Sequence, residues 1–147
     1  MSANLLTTAS RVLPRMLEDT AFLFSEEASR SLEFNDTPAG VGISYSGAES
    51  GELRIWAQPA LMRTLAANML GVDETDPNAT ARRLDALGEL LNIVLGHCLT
   101  ERFGDDQPLN MGLPKSLRAS DLEQDLHAGC WISVEGEPLL LAWNDRR

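Results

Sequence analysis

The chain has 147 residues, of which 44% are hydrophobic and 23% charged, and its formal net charge is −10. That length fits one domain over residues 1–147, and a chain of this size buries roughly 70% of its unfolded surface, enough for a core without disulfides or metals. The acidic balance argues against nucleic acid and an anionic membrane surface, because both are met with Lys and Arg; it fits good solubility or a partner that presents a basic group.

No stretch approaches the ~18 apolar residues of a membrane span, and no secretory pattern opens the chain, so a cytoplasmic protein is expected. Cys98 and Cys130 form no CxxC pair and read as two buried thiols rather than a disulfide or zinc site.

Residues 4–19 predict a helix, with Leu6, Ala9, Val12, Leu13 and Met16 on one face. Pro14 should kink or break it. Phe22-Leu23-Phe24 suggests a short strand, and residues 25–37 a polar loop. Residues 41–46 and 52–57 alternate apolar with small or polar side chains, a hairpin around the turn formers of 47–51. Pro59 opens a second helix that carries Leu61, Met62, Leu65, Ala66 and Met69 and stops at Gly71.

After an acidic linker, Asp76-Pro77 is a capped helix start. The pattern then runs to Phe103, with Gly104 as its stop, a helix of about 40 Å. Residues 109–113 suggest a strand ending at Pro114, and 115–127 a polar stretch. A second hairpin, 130–134 and 139–143, closes on the turn Glu135-Gly136-Glu137-Pro138. The expected class is α+β: an antiparallel sheet of about six strands with one long and two shorter helices packed on it. The order helix, strand, hairpin occurs twice, a weak internal repeat.

The long helix carries the most informative pattern. With Glu89 at zero on the helical wheel, Asp85 and Asn92 fall within about 60°, and Gly96 and Arg82 within about 20°. Leu84, Leu87, Leu91, Val94 and Cys98 occupy the opposite side and read as a core face. A stripe of two carboxylates and an amide is most simply a solvated face, yet it lacks the usual run of Lys and Glu. Gly96 in a helix interior costs about 1 kcal/mol relative to alanine. That cost is explained if another backbone or a partner approaches there. His97 and His127 have no neighbours at metal-ligand spacing, and Trp56, Trp131 and Trp143 lie in strand patterns.

The segment Asp85-Ala86-Leu87-Gly88-Glu89-Leu90-Leu91-Asn92 resembles the CheC/CheX family of chemotaxis phosphatases. That family carries Asp or Ser, three residues, Glu, two residues, Asn, and a Pro about 22 residues on. Here Pro114 follows Asn92 after 21. The residues Pro59-Ala60-Leu61-Met62 leading to Asn68-Met69-Leu70-Gly71 are also similar. The likeness covers roughly residues 41–134. No second copy of the motif lies in residues 11–20, as in the CheX branch. His97 stands where that branch often has asparagine.

The resemblance implies a protein phosphatase acting on the aspartyl-phosphate of a receiver-domain response regulator of the CheY class. It implies that Asn92 holds the attacking water in line and that Glu89 pairs with a lysine of the receiver. Asp85 and Gly96 would belong to the docking surface, and Pro114 would shape the loop behind the helix. No cofactor of its own is implied; the receiver would supply Mg2+. The CheX branch also admits a homodimer. The alternatives are a non-catalytic CheX-like interaction module using the same stripe, and a structural role in a flagellar switch. An enzyme of small phosphates is disfavoured for want of a Gly-rich anion cradle.

Overall fold

The computed structural model describes residues 5–105 and 109–145; the expected helix start at Asn4 lies outside them. Helix α1, Leu5–Ala21, turns Leu5, Ala9, Val12, Leu13, Met16 and Leu17 inward and continues through Pro14 without a break. An interior proline costs about 3 kcal/mol, which burial of several large side chains at about 1.5–3 kcal/mol each outweighs. Residues 22–24 are no strand. Phe22 takes a left-handed φ of 58°. Its N–H donates to the Glu18 carbonyl at 3.1 Å, and that of Leu23 to the Leu17 carbonyl at 3.2 Å. An aromatic residue thus ends the helix where glycine usually does, and strand β1 follows at Ser25–Glu27.

Strands β2 (Ala39–Ser46) and β3 (Gly51–Ala57) form the expected hairpin, with Val41 opposite Ile55 and Ile43 opposite Leu53. Helix α2, Pro59–Leu70, stops at a left-handed Gly71. The long helix expected from Asp76 is two elements. Helix α3, Pro77–Ala81, is capped by the Asp76 side chain; Arg82, at φ −107° and ψ 14°, then leaves helical geometry. Helix α4, Arg83–Phe103, has 21 residues and spans about 32 Å.

Strands β4 (Asn110–Met111) and β5 (Lys115–Ser116) are two residues each. Helix α5, Ala119–Ala128, occupies most of the expected polar stretch, and at its start the Arg118 N–H donates to the Asp121 carboxylate at 3.0 Å. Strands β6 (Cys130–Val134) and β7 (Glu137–Asn144) meet at a turn shorter than expected. Glu135 and Gly136 both take positive φ, 50° and 84°, as a two-residue type I′ hairpin requires.

The seven strands among the described residues join one antiparallel sheet, in the order β1-β6-β7-β3-β2-β4, with β5 also on β2. The two hairpins meet at its centre through β3 and β7. Each lone strand crosses to the other half: β1 pairs with β6, while β4 and β5 pair with β2. Neither half closes a sheet without the other.

One sheet face packs Val41, Ile43, Leu53, Ile55, Ile132, Val134, Leu139 and Leu141 under α1, α2 and α4. The opposite face is covered too. Trp56, Trp131 and Leu140 pack there with Leu32, Phe34, Leu117 and Leu122. Beside them Arg54, 3% exposed, bonds Glu52 at 2.8 Å and Asp125 at 3.0 Å, and the Trp56 indole N–H donates to Asp125 at 2.8 Å. Helix α5 thus buries charges that the strand alternation alone would place in solvent.

Candidate functional site

Helix α4 lies on the sheet between α1 and α2 and presses Leu87, Leu90, Leu91, Val94 and Leu95 into the core. Packing on both flanks leaves a narrow free strip, and Asp85, Glu89 and Asn92 occupy it, all three exposed. Among the described residues none of the three side chains has a hydrogen-bond or ion-pair partner. A carboxylate at either end of one turn, then an amide, stand ready in solvent with nothing within the chain to hold them.

These side chains form one wall of an open groove of about 730 Å³. The other wall is the chain from Leu113 to Ser116, and Val41 and Gly88 contribute to the floor. Tertiary contacts that no local pattern reveals hold that wall in place. Strand β5 pairs Ser116 with Val41 and Lys115 with Gly42. The Gly112 N–H donates to the Ser44 carbonyl at 2.7 Å, and the Leu117 N–H to the Gly40 carbonyl at 2.9 Å. The Lys115 ammonium lies 3.6 Å from the buried Glu52 carboxylate. Pro114 packs on Gly88, where an added Cβ would come within 3.1 Å of the proline ring. Pro114 therefore stands across the groove from the stripe and not behind the helix, and Gly88 is what lets it approach. A glycine in a helix interior was the available signal, but it points to a close neighbour without saying which one.

One position departs from expectation, and at another one of two expected explanations is removed. Leu84 is 36% exposed and lines the groove. The chain leaves helical geometry at Arg82, so Leu84 sits in the first turn of α4, ahead of the core contacts. At Gly96 nothing described beyond its chain neighbours and its own helix backbone lies within 4 Å of where a Cβ would stand, so approach by another described segment does not explain that glycine.

The thiols divide. Cys98 is buried, as expected, and burial pushes it up to about 12. Cys130 is only half-buried; burial, followed by its bond to Glu27, pushes it up to about 11. Neither is a nucleophile near neutral pH. His97 and His127 are exposed.

The internal repeat places a second groove, about 720 Å³, between α1 and β1. Its helix presents Thr7, Ser10, Arg11 and Pro14, and Arg11 is paired with Glu101. The carboxylate–amide stripe thus stands on one helix of the pair. No helix among the described residues is long and apolar enough to cross a membrane.

The fold has counterparts among known proteins. The family model described as chemotaxis phosphatase CheX matches residues 39–134. No curated protein matches the chain in sequence. Among solved structures, a chemotaxis protein CheX from Vibrio vulnificus aligns with TM-score 0.72 at 17% identity, over 97% of this chain and 96% of that one. A chain of the CheX–CheY–BeF3–Mg2+ complex from Borrelia burgdorferi aligns with TM-score 0.69 at 13% identity, over 99% and 100%. A CheX from Desulfovibrio desulfuricans gives 0.67 at 10%, over 95% and 97%. At such identities the likeness shows the fold, while the family match spans more than half of the 147 residues and takes in the whole stripe. This chain belongs to the chemotaxis phosphatase CheX family.

Proposed function

We propose that this protein hydrolyses the aspartyl-phosphate of a receiver-domain response regulator of the CheY class. The observation that carries the reading is the strip itself: Asp85, Glu89 and Asn92 exposed and unpaired on one face of α4, beside an open groove. A small-molecule enzyme would enclose its substrate. An open wall with polar groups projecting from a rigid helix suits a substrate that is another protein.

The reaction asks little covalent chemistry of this chain. A water oxygen attacks phosphorus, the bond from phosphorus to the aspartyl oxygen breaks with its electron pair going to the restored carboxylate, and inorganic phosphate leaves with both of the water's protons, one of which it can release to solvent. Such transfers depend on in-line geometry and charge stabilisation. The Asn92 amide holds the water, since it can both donate and accept without bringing a negative charge to the phosphoryl group. Glu89 pairs with a lysine of the receiver and fixes register. Asp85 acts at the rim, and Gly96 allows the partner's surface to approach. Mg2+ is supplied by the receiver. A fold relative held in complex with CheY, BeF3 and Mg2+ supports this choice of partner.

The test is dephosphorylation of a panel of phosphorylated receivers by the purified protein. Accelerated loss of phosphate from at least one supports the reading. A receiver bound with its dephosphorylation rate unchanged makes the protein an interaction module that uses the same stripe.

A further inference from the structure

We infer that Leu113 is the apolar anchor on which the phosphorylated receiver docks; the inference rests on the proposed function and names how that partner is gripped. Leu113 is 87% exposed, the most of any large apolar side chain among the described residues. A lone exposed leucine is ordinary. This one differs in what surrounds it.

Its backbone is fixed on both sides. Gly112 is tied to Ser44, Pro114 rests on Gly88, and Lys115 and Ser116 pair with β2. On a held backbone, burial by a partner orders the side chain's rotamers without also having to order the loop. Its position is equally specific. Leu113 stands on one side of the groove and Leu84 on the other, with Asp85 and Glu89 among the groove-lining groups. The complement to that arrangement is a basic group flanked by apolar surface. A receiver that presents a lysine beside its phosphoryl group fits it.

Electrostatics shows why an anchor is needed. Exposed carboxylates steer an encounter and set register, but an exposed ion pair adds at most about 1 kcal/mol to affinity. In protein interfaces most of the affinity comes from a few side chains fully desolvated on binding. Leu113 is the groove residue with the most apolar surface to lose.

The experiment uses the receiver that the wild type dephosphorylates fastest, phosphorylated with acetyl phosphate and Mg2+, and compares wild type with Leu113→Ala and Leu113→Met. Leu113→Ala should raise KM and the equilibrium Kd roughly tenfold with kcat kept, the loss expected for one buried leucine side chain. Leu113→Met should restore most of the affinity, and the melting temperatures of all three proteins should agree. An unchanged KM and Kd for Leu113→Ala overturns the anchor and leaves the catalytic reading intact. A fall in kcat at constant Kd also overturns it, because the loop would then be placing the catalytic groups. A wild type that neither binds nor dephosphorylates any receiver removes both readings together.

Discussion

Gly96→Ala separates what a glycine costs the fold from what it does for a partner. Gly96 lies inside α4, where alanine is favoured over glycine by about 0.8–1.0 kcal/mol. Beyond its chain neighbours and its own helix backbone, nothing described lies within 4 Å of the new methyl, so no steric term is subtracted. For a chain of this length about 1 kcal/mol raises Tm by roughly 3 °C. Gly88→Ala is the internal comparison: the same propensity gain is opposed by Pro114 at 3.1 Å, so its Tm should change less. The receiver should report the opposite order of benefit. Gly96 follows Glu89 by two helical turns on the same stripe, so its methyl should hold a docked surface away and weaken binding several-fold. Thermal and urea unfolding give the first quantity, and titration with a phosphorylated receiver gives the second. If Gly96→Ala fails to stabilise, the space beside Gly96 is not open. If it stabilises and binds as the wild type does, the glycine is not kept for the partner.

Other substitutions probe the fold and the rim. Arg54→Ala should cost about 3–5 kcal/mol by urea unfolding, because it takes the cation from the buried Asp125 and the 2.8 Å guanidinium partner from the buried Glu52; a loss below about 1 kcal/mol would mean that water reaches the Asp125 carboxylate. Tyr45 is the single tyrosine, and burial pushes it up to about 12 from 10.0. The folded chain then keeps this proton after the unfolded chain has lost it, so stability is full below pH 10 and falls as the pH rises toward about 12. Ultraviolet titration should show the late ionisation, and Tyr45→Phe should flatten the alkaline decline; a midpoint near 10 would contradict the burial. Glu89→Ala should weaken both receiver binding and turnover. Asp85→Ala should do less at physiological salt, where charges are screened within about 8 Å.

The parts of this fold that could be read from sequence are those whose signal is local. Leucines at helical spacing marked α1, α2 and most of α4, and turn residues marked both hairpins. The Asp85–Glu89–Asn92 stripe needed only a helix and its wheel. Helix α5 was hidden because the one residue it fully buries is Asp125, so its periodicity carries no apolar mark. For the same reason Glu52 and Arg54 read as a solvent face. The break at Arg82 has no glycine or proline to announce it, and it carried Leu84 from the expected core to the groove. The second wall of the site was beyond reach, because it is built by β5 pairing with β2 some seventy positions earlier and by Pro114 seating on Gly88. The stripe is a property of one helix, whereas the groove is a property of the tertiary fold.

Water positioning by the stripe is tested most directly by Asn92→Ala, measured for dephosphorylation rate and for binding against one cognate phosphorylated receiver. A group that acts mainly on the in-line water lowers the rate without lowering the affinity. The expected result is a rate reduced at least about a hundredfold, on the order of 2.7 kcal/mol of barrier, with Kd within about twofold of wild type. A variant that keeps the wild-type rate would contradict it.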